Sequence, residues 1–471
     1  MKLTVLADLH YFDPSLGTTG EAYALRSGSD QKCLAETGAI LDAAFAEIAA
    51  SDTDAVLIAG DLTNDGERVC HEGVLKKLYR LKAQKPVYVT TATHDWCCDK
   101  NPRRFVGERV FGDVETVSPA KLRELYYDFG ERQASAVYTT HLGTVSYLVE
   151  LPENVSLLVL NDDQNGKGKA GYKPAHLCWI LQTIREQTAL GKTVVAMQHH
   201  LLYPHISPLL TGGACCGDRE ELLEALSEAG LRFMFVGHSH IQHTDRYVSE
   251  SGRELFEINV GSLCGYPAPM VQVEITKDTV RIHTAFLKTF TYLGKTYDAQ
   301  TYLQTHAVHM LGGLLDALAT DKTAAAKKLA ALEVKQSEQI VRKYWWFLHF
   351  LAVKLNGLTV EKAGAMLNRL PGGVKFKKED LRVLQNVPVL DLVYTVFCSI
   401  LSGRTVASEK SESYARVIYT AGQLPQSVLC ALPASKESVQ RFCEALASAF
   451  QEIVYGSAPD NLQFETGRWQ L

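Results

Sequence analysis

Short runs of apolar residues alternate with longer amphipathic stretches over roughly the first 290 residues of the chain. The apolar runs are rich in β-branched residues, are short enough for buried strands, and lie at 2–7, 55–59, 87–91, 155–160, 193–197 and 232–236. The stretches between several of them carry apolar residues at helical spacing and lie at 36–50, 67–84, 173–190 and 218–229. Strands and helices in alternation predict an α/β domain.

Two segments break this alternation. Residues 135–151 and 244–290 hold strand-like runs close together, separated by turn sequences such as SESGRE and TKDT. Close strands with tight turns indicate hairpins, which bring antiparallel pairs into a sheet. We therefore predict an α/β fold with mixed sheets and not a purely parallel, doubly wound one.

The pattern changes after about residue 295, where long stretches at helical spacing begin, as at 301–319 and 323–355. Pro425 is expected to interrupt one of these helices, because proline lacks the N–H of a helix interior. We predict two domains: a mixed α/β domain at 1–292 and an all-helical C-terminal domain at 293–471, whose role the sequence does not indicate.

One helical stretch is crowded with aromatic residues, namely Tyr344, Trp345, Trp346, Phe347 and Phe350. Aromatic side chains dominate the energetics of protein cores, so we expect these in the core of a helical bundle. A lid over a site or a dimer surface is the alternative, so a homo-oligomer formed through the helical domain stays open.

The charge balance narrows the choice of partner. The 471 residues carry 48 Lys and Arg against 53 Asp and Glu, a net charge of −5. A chain this balanced has no overall attraction for nucleic acid or an anionic membrane, so we expect neither as a partner. There is no run of 18 apolar residues and no secretory signal, and the 11 cysteines are scattered, so we predict a cytoplasmic protein with reduced thiols.

Residues that carry chemistry follow the ends of five predicted strands. In chain order they are Asp8 and His10, then Asp61, then His94 and Asp95, then His199 and His200, then His238 and His240. Ligands of open α/β sheets bind in the crevice at the carboxyl ends of the strands, so these side chains are expected to meet at one site. Asp and His together are donors that Zn, Mn and Fe accept, so the pattern predicts a metal site, and two cations bridged by one carboxylate would form a two-metal clamp on a phosphoryl group.

The ordered set resembles the calcineurin-like metallophosphoesterase superfamily, which includes purple acid phosphatases and class III cyclic-nucleotide phosphodiesterases. The matching segments are ADLH at 7–10, GDLTNDGE at 60–67, ATHDW at 92–96, MQHH at 197–200 and GHSH at 237–240, followed by GSLCGYPAP at 261–269. The resemblance covers about residues 1–290 and implies a four-layer αββα sandwich.

The resemblance also implies sites for two divalent metal ions, with Mn, Fe or Zn as candidates. The first ion would be held by Asp8, His10, Asp61 and His240. Asp61 would bridge to the second ion, which His199 and His238 complete. His94 would contact the substrate phosphate and protonate the leaving oxygen, and Asp95 would orient His94.

Thr93 departs from the family pattern, which has an Asn metal ligand at this position. A Thr hydroxyl is a poorer neutral ligand, so we expect a second metal that is bound but held more weakly; a water or an oxygen from another residue in its place is the alternative. His200 is expected to line the substrate pocket, as is Tyr203, for which core packing is the alternative.

The function implied is hydrolysis of a small-molecule phosphate ester, with a metal-bound hydroxide attacking phosphorus and a phosphodiester favoured over a monoester. Two alternatives stay open. A non-catalytic binding module could use the same fold with weakened metal ligands, and a nuclease is a further possibility that the net charge of −5 disfavours.

Overall fold

The computed structural model describes residues 1–98, 100–163, 170–331, 336–369, 374–429, 437–456 and 462–465. The strands are β1 (Lys2–Leu6), β2 (Ala55–Ala59), β3 (Val87–Thr90), β4 (Arg104–Val106), β5 (Arg109–Phe111), β6 (Ala136–Thr139), β7 (Val145–Leu151), β8 (Val155–Val159), β9 (Thr193–Met197), β10 (Phe233–Val236), β11 (His243–Val248), β12 (Glu254–Asn259), β13 (Pro269–Ile275), β14 (Thr279–Phe286), β15 (Thr289–Tyr292), β16 (Lys295–Asp298) and β17 (Leu462–Glu465). The helices are α1 (Glu21–Ser27), α2 (Thr37–Ala50), α3 (Arg68–Lys82), α4 (Pro119–Tyr126), α5 (Pro174–Ala189), α6 (Pro208–Thr211), α7 (Arg219–Ala229), α8 (Ala299–Thr320), α9 (Lys322–Ala331), α10 (Ser337–Gly357), α11 (Val360–Leu367), α12 (Lys378–Val383), α13 (Val389–Ser402), α14 (Val406–Glu409), α15 (Glu412–Leu429) and α16 (Glu437–Tyr455).

Two mixed sheets form the centre of the described structure. The first has the strand order β17-β14-β13-β1-β2-β3 and the second has the order β11-β12-β10-β9-β8-β7-β6. In each sheet a parallel set, β1-β2-β3 or β8-β9-β10-β12, is extended at its edge by antiparallel neighbours. The predicted mixture of parallel and antiparallel pairs is confirmed.

The period-two alternation of each strand divides its side chains between two layers of core. Leu57 of β2 packs between the sheets against residues such as Phe235 of β10, whereas its neighbour Ile58 points to the opposite face. That outer face is covered by α2 and α3, and α5 and α7 cover the outer face of the second sheet. The layer order is therefore αββα, which confirms the predicted four-layer sandwich.

The strands and helices predicted for the α/β part lie within one or two residues of their observed bounds, because buried apolar runs end abruptly at polar residues. The helix interruption expected at Pro425 is not observed. It lies inside α15 and does not end it, so the prediction of a break there was wrong. The helix tolerates the missing N–H because α15 packs closely along α16: a Cβ at Gly422 would lie 2.3 Å from the Phe450 side chain.

The C-terminal region is helical from α8 to α16, but it also returns strand β17 to the edge of the first sheet, beside β14. Leu303 and Leu401 of this region lie in the same buried core as the outer face of the first sheet. The N–H of Gln242 donates to the carbonyl of Leu401 at 2.9 Å, so α13 braces the loop that follows β10. The domain boundary between 292 and 293 stays a prediction.

The aromatic residues of α10 do not form the core that we expected. Trp346 is 73% exposed and Phe350 is 58% exposed, whereas Trp345 packs partly against α8 and α9. A single helix presents these rings around its circumference, so they cannot all face one neighbour. Among the described residues, no helix has both the length and the apolar content needed to cross a membrane.

Candidate metal centre

The candidate ligands leave the carboxyl ends of parallel strands in both sheets, where the two sheets come together. Left-handed backbone conformations at most of these residues direct their side chains toward one another. Positive φ angles occur at Asp8 (52°), His10 (41°), Asp61 (50°), His238 (67°) and His240 (58°). A left-handed conformation costs of order 1–3 kcal/mol at a residue with a Cβ, and such residues cluster at functional sites.

Asp8, His10 and His240 form the first group, in which one donor atom from each lies within 4.8 Å of the others. Asp8 Oδ1 lies 3.6 Å from His10 Nε2 and 3.4 Å from His240 Nε2. The two histidine Nε2 atoms are 2.9 Å apart. Gln31 Oε1 lies 3.2 Å from His240 Nδ1, which fixes the ring and leaves Nε2 facing Asp8.

Asp61, His199 and His238 form the second group at the same spacing. Asp61 Oδ2 lies 3.2 Å from His199 Nε2, and His199 Nδ1 donates to the carbonyl of Ala59 at 2.8 Å. This bond fixes the tautomer, so Nε2 is the nitrogen that faces Asp61. A Cβ at Gly60 would lie 2.7 Å from His199 Nδ1 on a backbone with φ of +85°, so glycine is required at this close approach.

The electrostatics of the two groups suit a divalent cation. Burial opposes ionisation of Asp8, but His240 and His10 hold the pKa of its carboxyl well below its usual range. Burial and then the charge of Lys32 lower the pKa of His10 to about 3, and burial with two neighbouring histidines lowers the pKa of His238. Ionised carboxylates and neutral imidazoles are the protonation states that bind metal.

An unpartnered donor atom supports the same fit. His199 Nε2 is buried and makes no hydrogen bond within the described part of the chain. Burial would lower the pKa of His199, but the Asp61 carboxylate raises it well above the ordinary value. A cation between these two side chains would replace that proton and use both donors.

His94 lies at the rim of the groups and is held by the loop that follows β2. Its Nδ1 donates to the Asn64 carbonyl at 2.5 Å and lies 3.3 Å from Asp65 Oδ1. Arg103 donates to the other oxygen of Asp65 at 3.1 Å. Burial would lower the pKa of His94, but Asp61 and Asp65 raise it to about 9. Because Nδ1 of His94 donates to the Asn64 carbonyl, Nε2 is the nitrogen that is free to exchange a proton with a substrate.

Asp95 does not orient His94, so that prediction was wrong. Its carboxylate accepts the backbone N–H groups of Leu62 at 2.8 Å, Thr63 at 3.0 Å and Ala92 at 2.9 Å. Asp95 therefore ties the loop after β2 to the loop after β3, and burial followed by repulsion from Asp61 raises its pKa to about 7. The carboxylate beside His94 Nδ1 is that of Asp65.

Of the three remaining predicted site residues, two lie beside the metal-ligand groups and one does not. Thr93 is half-buried beside His94, and the His200 ring lies 4.3 Å from that of His238. Tyr203 lies apart: its ring meets that of His205 at 6.1 Å and packs against the core on the outer face of the second sheet. We therefore leave Tyr203 out of the proposed site.

Known proteins that are similar to this chain indicate its family. The profile of the calcineurin-like phosphoesterases matches residues 1–242, which is more than half of the chain. The chain belongs to this family. Among curated proteins, no relative matches the sequence.

Solved structures similar to this calcineurin-like phosphoesterase include two phosphatases. A dimetal phosphatase from Danio rerio shares 12% identity, with 64% of this chain and 99% of that chain covered and a TM-score of 0.44. A purple acid phosphatase from yellow lupin shares 11% identity, with 63% and 52% covered and a TM-score of 0.35.

Sequence reasoning missed three acidic residues at the centre of this phosphoesterase. Asp65 lies within GDLTNDGE, four residues after Asp61, and spacing alone does not tell which carboxylate meets His94. Asp162 and Asp163 follow β8, so the strand-end rule that found the other ligands also applies to them.

Proposed function

We propose that this phosphoesterase hydrolyses small-molecule phosphate esters at a dinuclear divalent-metal site, with phosphodiesters preferred to monoesters. The position of Asp61 carries the proposal. Its Oδ2 lies 3.2 Å from His199 Nε2 in one group and 3.8 Å from His10 Nε2 in the other. One carboxylate stands between the two ligand groups, which is the place of a bridging ligand in a two-metal site.

The proposed ligands follow from this placement. The first ion takes Asp8, His10, His240 and Asp61, and the second takes Asp61, His199, His238 and the hydroxyl of Thr93. When bound, two divalent cations supply an activated water and offset the negative charge of the phosphoryl group. A hydroxyl is a weaker donor than the amide oxygen that it replaces, so the second ion is held less tightly.

His94 protonates the leaving oxygen in this proposal. Because Nδ1 donates to the Asn64 carbonyl, the proton that moves is the one on Nε2. The His94 side chain is 28% exposed, against 16% for His240 and 0% for His10, so His94 is the most accessible of these three histidines to a substrate. Asp65 stabilises the imidazolium from behind, so His94 carries its proton at neutral pH and meets the substrate in the protonated form that a general acid requires.

The charges around the site support a diester. A phosphodiester carries one negative charge, and a monoester carries up to two at neutral pH. Among the described residues near the site, Arg103 pairs with Asp65 at 3.1 Å, and Lys32 lies 3.8 Å from Asp30. Cations that are already paired offer little to a second phosphate charge.

A metal-by-substrate panel tests the proposal. We expect metal-loaded protein to hydrolyse bis-p-nitrophenyl phosphate faster than p-nitrophenyl phosphate, with cyclic nucleotides as a third substrate class. Asp61→Ala and His238→Ala should abolish turnover, and the exposed Asp278→Ala should not. A faster monoester reaction would contradict the diester preference, and an active Asp61→Ala protein would contradict the bridging role.

The proposal includes the setting of the protein. We place it in the cytoplasm, where the ten cysteines among the described residues, all free thiols, would stay reduced. We also propose that the exposed rings of Trp346 and Phe350 mediate self-association. Light scattering should then give a mass above that of one chain, and Trp346→Ser with Phe350→Ser should give a monomer.

A further inference from the structure

A second cluster of metal-binding residues lies beside the proposed dinuclear site and is not used by it. Asp162 and Asp163 follow β8, and His200 follows β9, the neighbouring strand. One donor atom from each lies within 4.8 Å of the others, and the three residues are 0%, 2% and 8% exposed. We infer that Asp162, Asp163 and His200 form a further divalent-cation site.

Three donor atoms point into this cluster without partners. They are Asp162 Oδ1, Asp163 Oδ1 and His200 Nδ1, each buried and without a hydrogen bond among the described residues. Two buried carboxylates side by side repel each other, and leaving a buried polar atom unpaired is costly. A divalent cation removes both costs, because its charge matches the two carboxylates and its coordination uses all three atoms.

The second oxygen of each carboxylate is held by the protein. Asp162 Oδ2 accepts the backbone N–H of His200 at 2.7 Å, and Asp163 Oδ2 accepts the Trp96 indole N–H at 3.2 Å. One oxygen therefore fixes each side chain while the other is presented to the cluster. Ligating carboxylates are oriented in this way by hydrogen bonds from surrounding groups.

The distances agree with coordination of one ion. His200 Nδ1 lies 3.2 Å from Asp162 Oδ1 and 3.9 Å from Asp163 Oδ1. Ligands about 2.0–2.2 Å from a metal lie about 3.0–3.5 Å from one another in octahedral or tetrahedral geometry, so a small closure of Asp163 completes the set. Two carboxylates and an imidazole favour a borderline ion such as Zn²⁺ or Mn²⁺, with positions left for water or a phosphate oxygen.

This site is separate from the proposed dinuclear centre but adjoins it. The His200 ring lies 4.3 Å from the ring of His238 and 5.0 Å from that of His199. His200 therefore changes role, from a lining residue to a metal ligand. The assignment of this further site does not depend on Asp61 bridging two ions, because Asp162, Asp163 and His200 are not ligands of the proposed dinuclear centre.

Counting bound Mn²⁺ tests the assignment without any activity measurement. The full chain and an Asp162→Asn, Asp163→Asn variant are equilibrated with Mn²⁺, desalted and assayed by mass spectrometry of the metal. Asparagine keeps an oxygen for the His200 N–H and the Trp96 N–H but loses the charge. We expect the variant to hold one ion fewer than the unchanged chain, and a control with two exposed changes, Asp52→Asn and Asp113→Asn, to hold the same number.

A second variant separates ligation from charge. His200→Phe keeps a ring against His238 but removes the donor nitrogen without changing the carboxylates, and we expect it to lose the same single ion. The assignment would be overturned if both variants held as many Mn²⁺ ions per chain as the unchanged protein. It would also be overturned if the Asp162→Asn, Asp163→Asn variant lost an ion and His200→Phe did not. Circular dichroism confirms that each variant is folded. The ion count of an Asp61→Ala chain reports separately on the dinuclear centre.

Discussion

Replacing His94 by alanine removes the group that we propose protonates the leaving oxygen. The structure fixes which nitrogen acts, because Nδ1 donates to the Asn64 carbonyl at 2.5 Å and Nε2 is left toward the substrate. General acid catalysis contributes roughly 10²- to 10⁴-fold in rate, which is about 3–5 kcal/mol of activation free energy. We therefore expect His94→Ala to lose that factor on a phosphodiester with an alkyl leaving group.

The leaving group supplies the internal control for this experiment. p-Nitrophenolate departs readily without a proton, so the same variant should lose less than about tenfold on bis-p-nitrophenyl phosphate. The exposed His141→Ala serves as the matched histidine control and should lose nothing on either substrate. Equal losses of His94→Ala on good and poor leaving groups would refute the proton-donor role and point to positioning of the phosphate alone.

Three further predictions concern stability and the glycine beside a ligand. Burial lowers the pKa of His176 to about 4 from 6.5, so the unfolded chain gains a proton first as the pH falls below 6.5 and stability is lost between these values. His176→Phe keeps the stack on Tyr138, whose ring centroid lies 4.3 Å away, but cannot take up a proton. Its free energy of unfolding in urea should therefore exceed that of the unchanged chain by about 2 kcal/mol more at pH 5 than at pH 8. An equal difference between the two proteins at pH 5 and pH 8 would contradict this. A Cβ at Gly237 would lie 2.5 Å from Asp8 Oδ2, so Gly237→Ala should displace that ligand, lower activity at least about tenfold and remove one bound Mn²⁺ ion per chain. Gly213→Ala, with open space around it, should change neither the activity nor the ion count. Mn²⁺ at about 100 times its dissociation constant should stabilise the native chain by about 2.7 kcal/mol per ion and raise Tm, and a Tm that does not respond to Mn²⁺ or to a chelator would argue against metal sites.

The sequence predicts the layers of this fold because its strands are buried on both faces. Ala55–Ala59 is fully buried, so it reads as one continuous apolar run, and the turn to Gly60 and Asp61 marks its end. Strand ends in parallel sheets share an edge, so the chemistry-bearing residues found there in the sequence do come together in space.

The details that the sequence does not predict depend on side-chain direction. Asp95 adjoins His94 in the sequence, yet its carboxylate turns inward to three backbone N–H groups while Asp65 meets the ring. Asp162 and Asp163 lie in a polar, glycine-rich segment that is typical of a loop, and only the meeting of β8 with β9 shows that His200 faces them. The left-handed backbone at Asp8 likewise follows from tertiary structure, since local preference disfavours it.

The central claim is that Asp61 joins two metal ions in a site that hydrolyses phosphate esters. The most direct test measures hydrolysis of bis-p-nitrophenyl phosphate by chelator-stripped protein while Mn²⁺ is titrated back. We predict no turnover without metal, a rise to a plateau that requires at least two bound ions per chain, and no rise with Asp61→Ala. Turnover by the stripped protein, or none at any concentration of any divalent metal, would contradict the account.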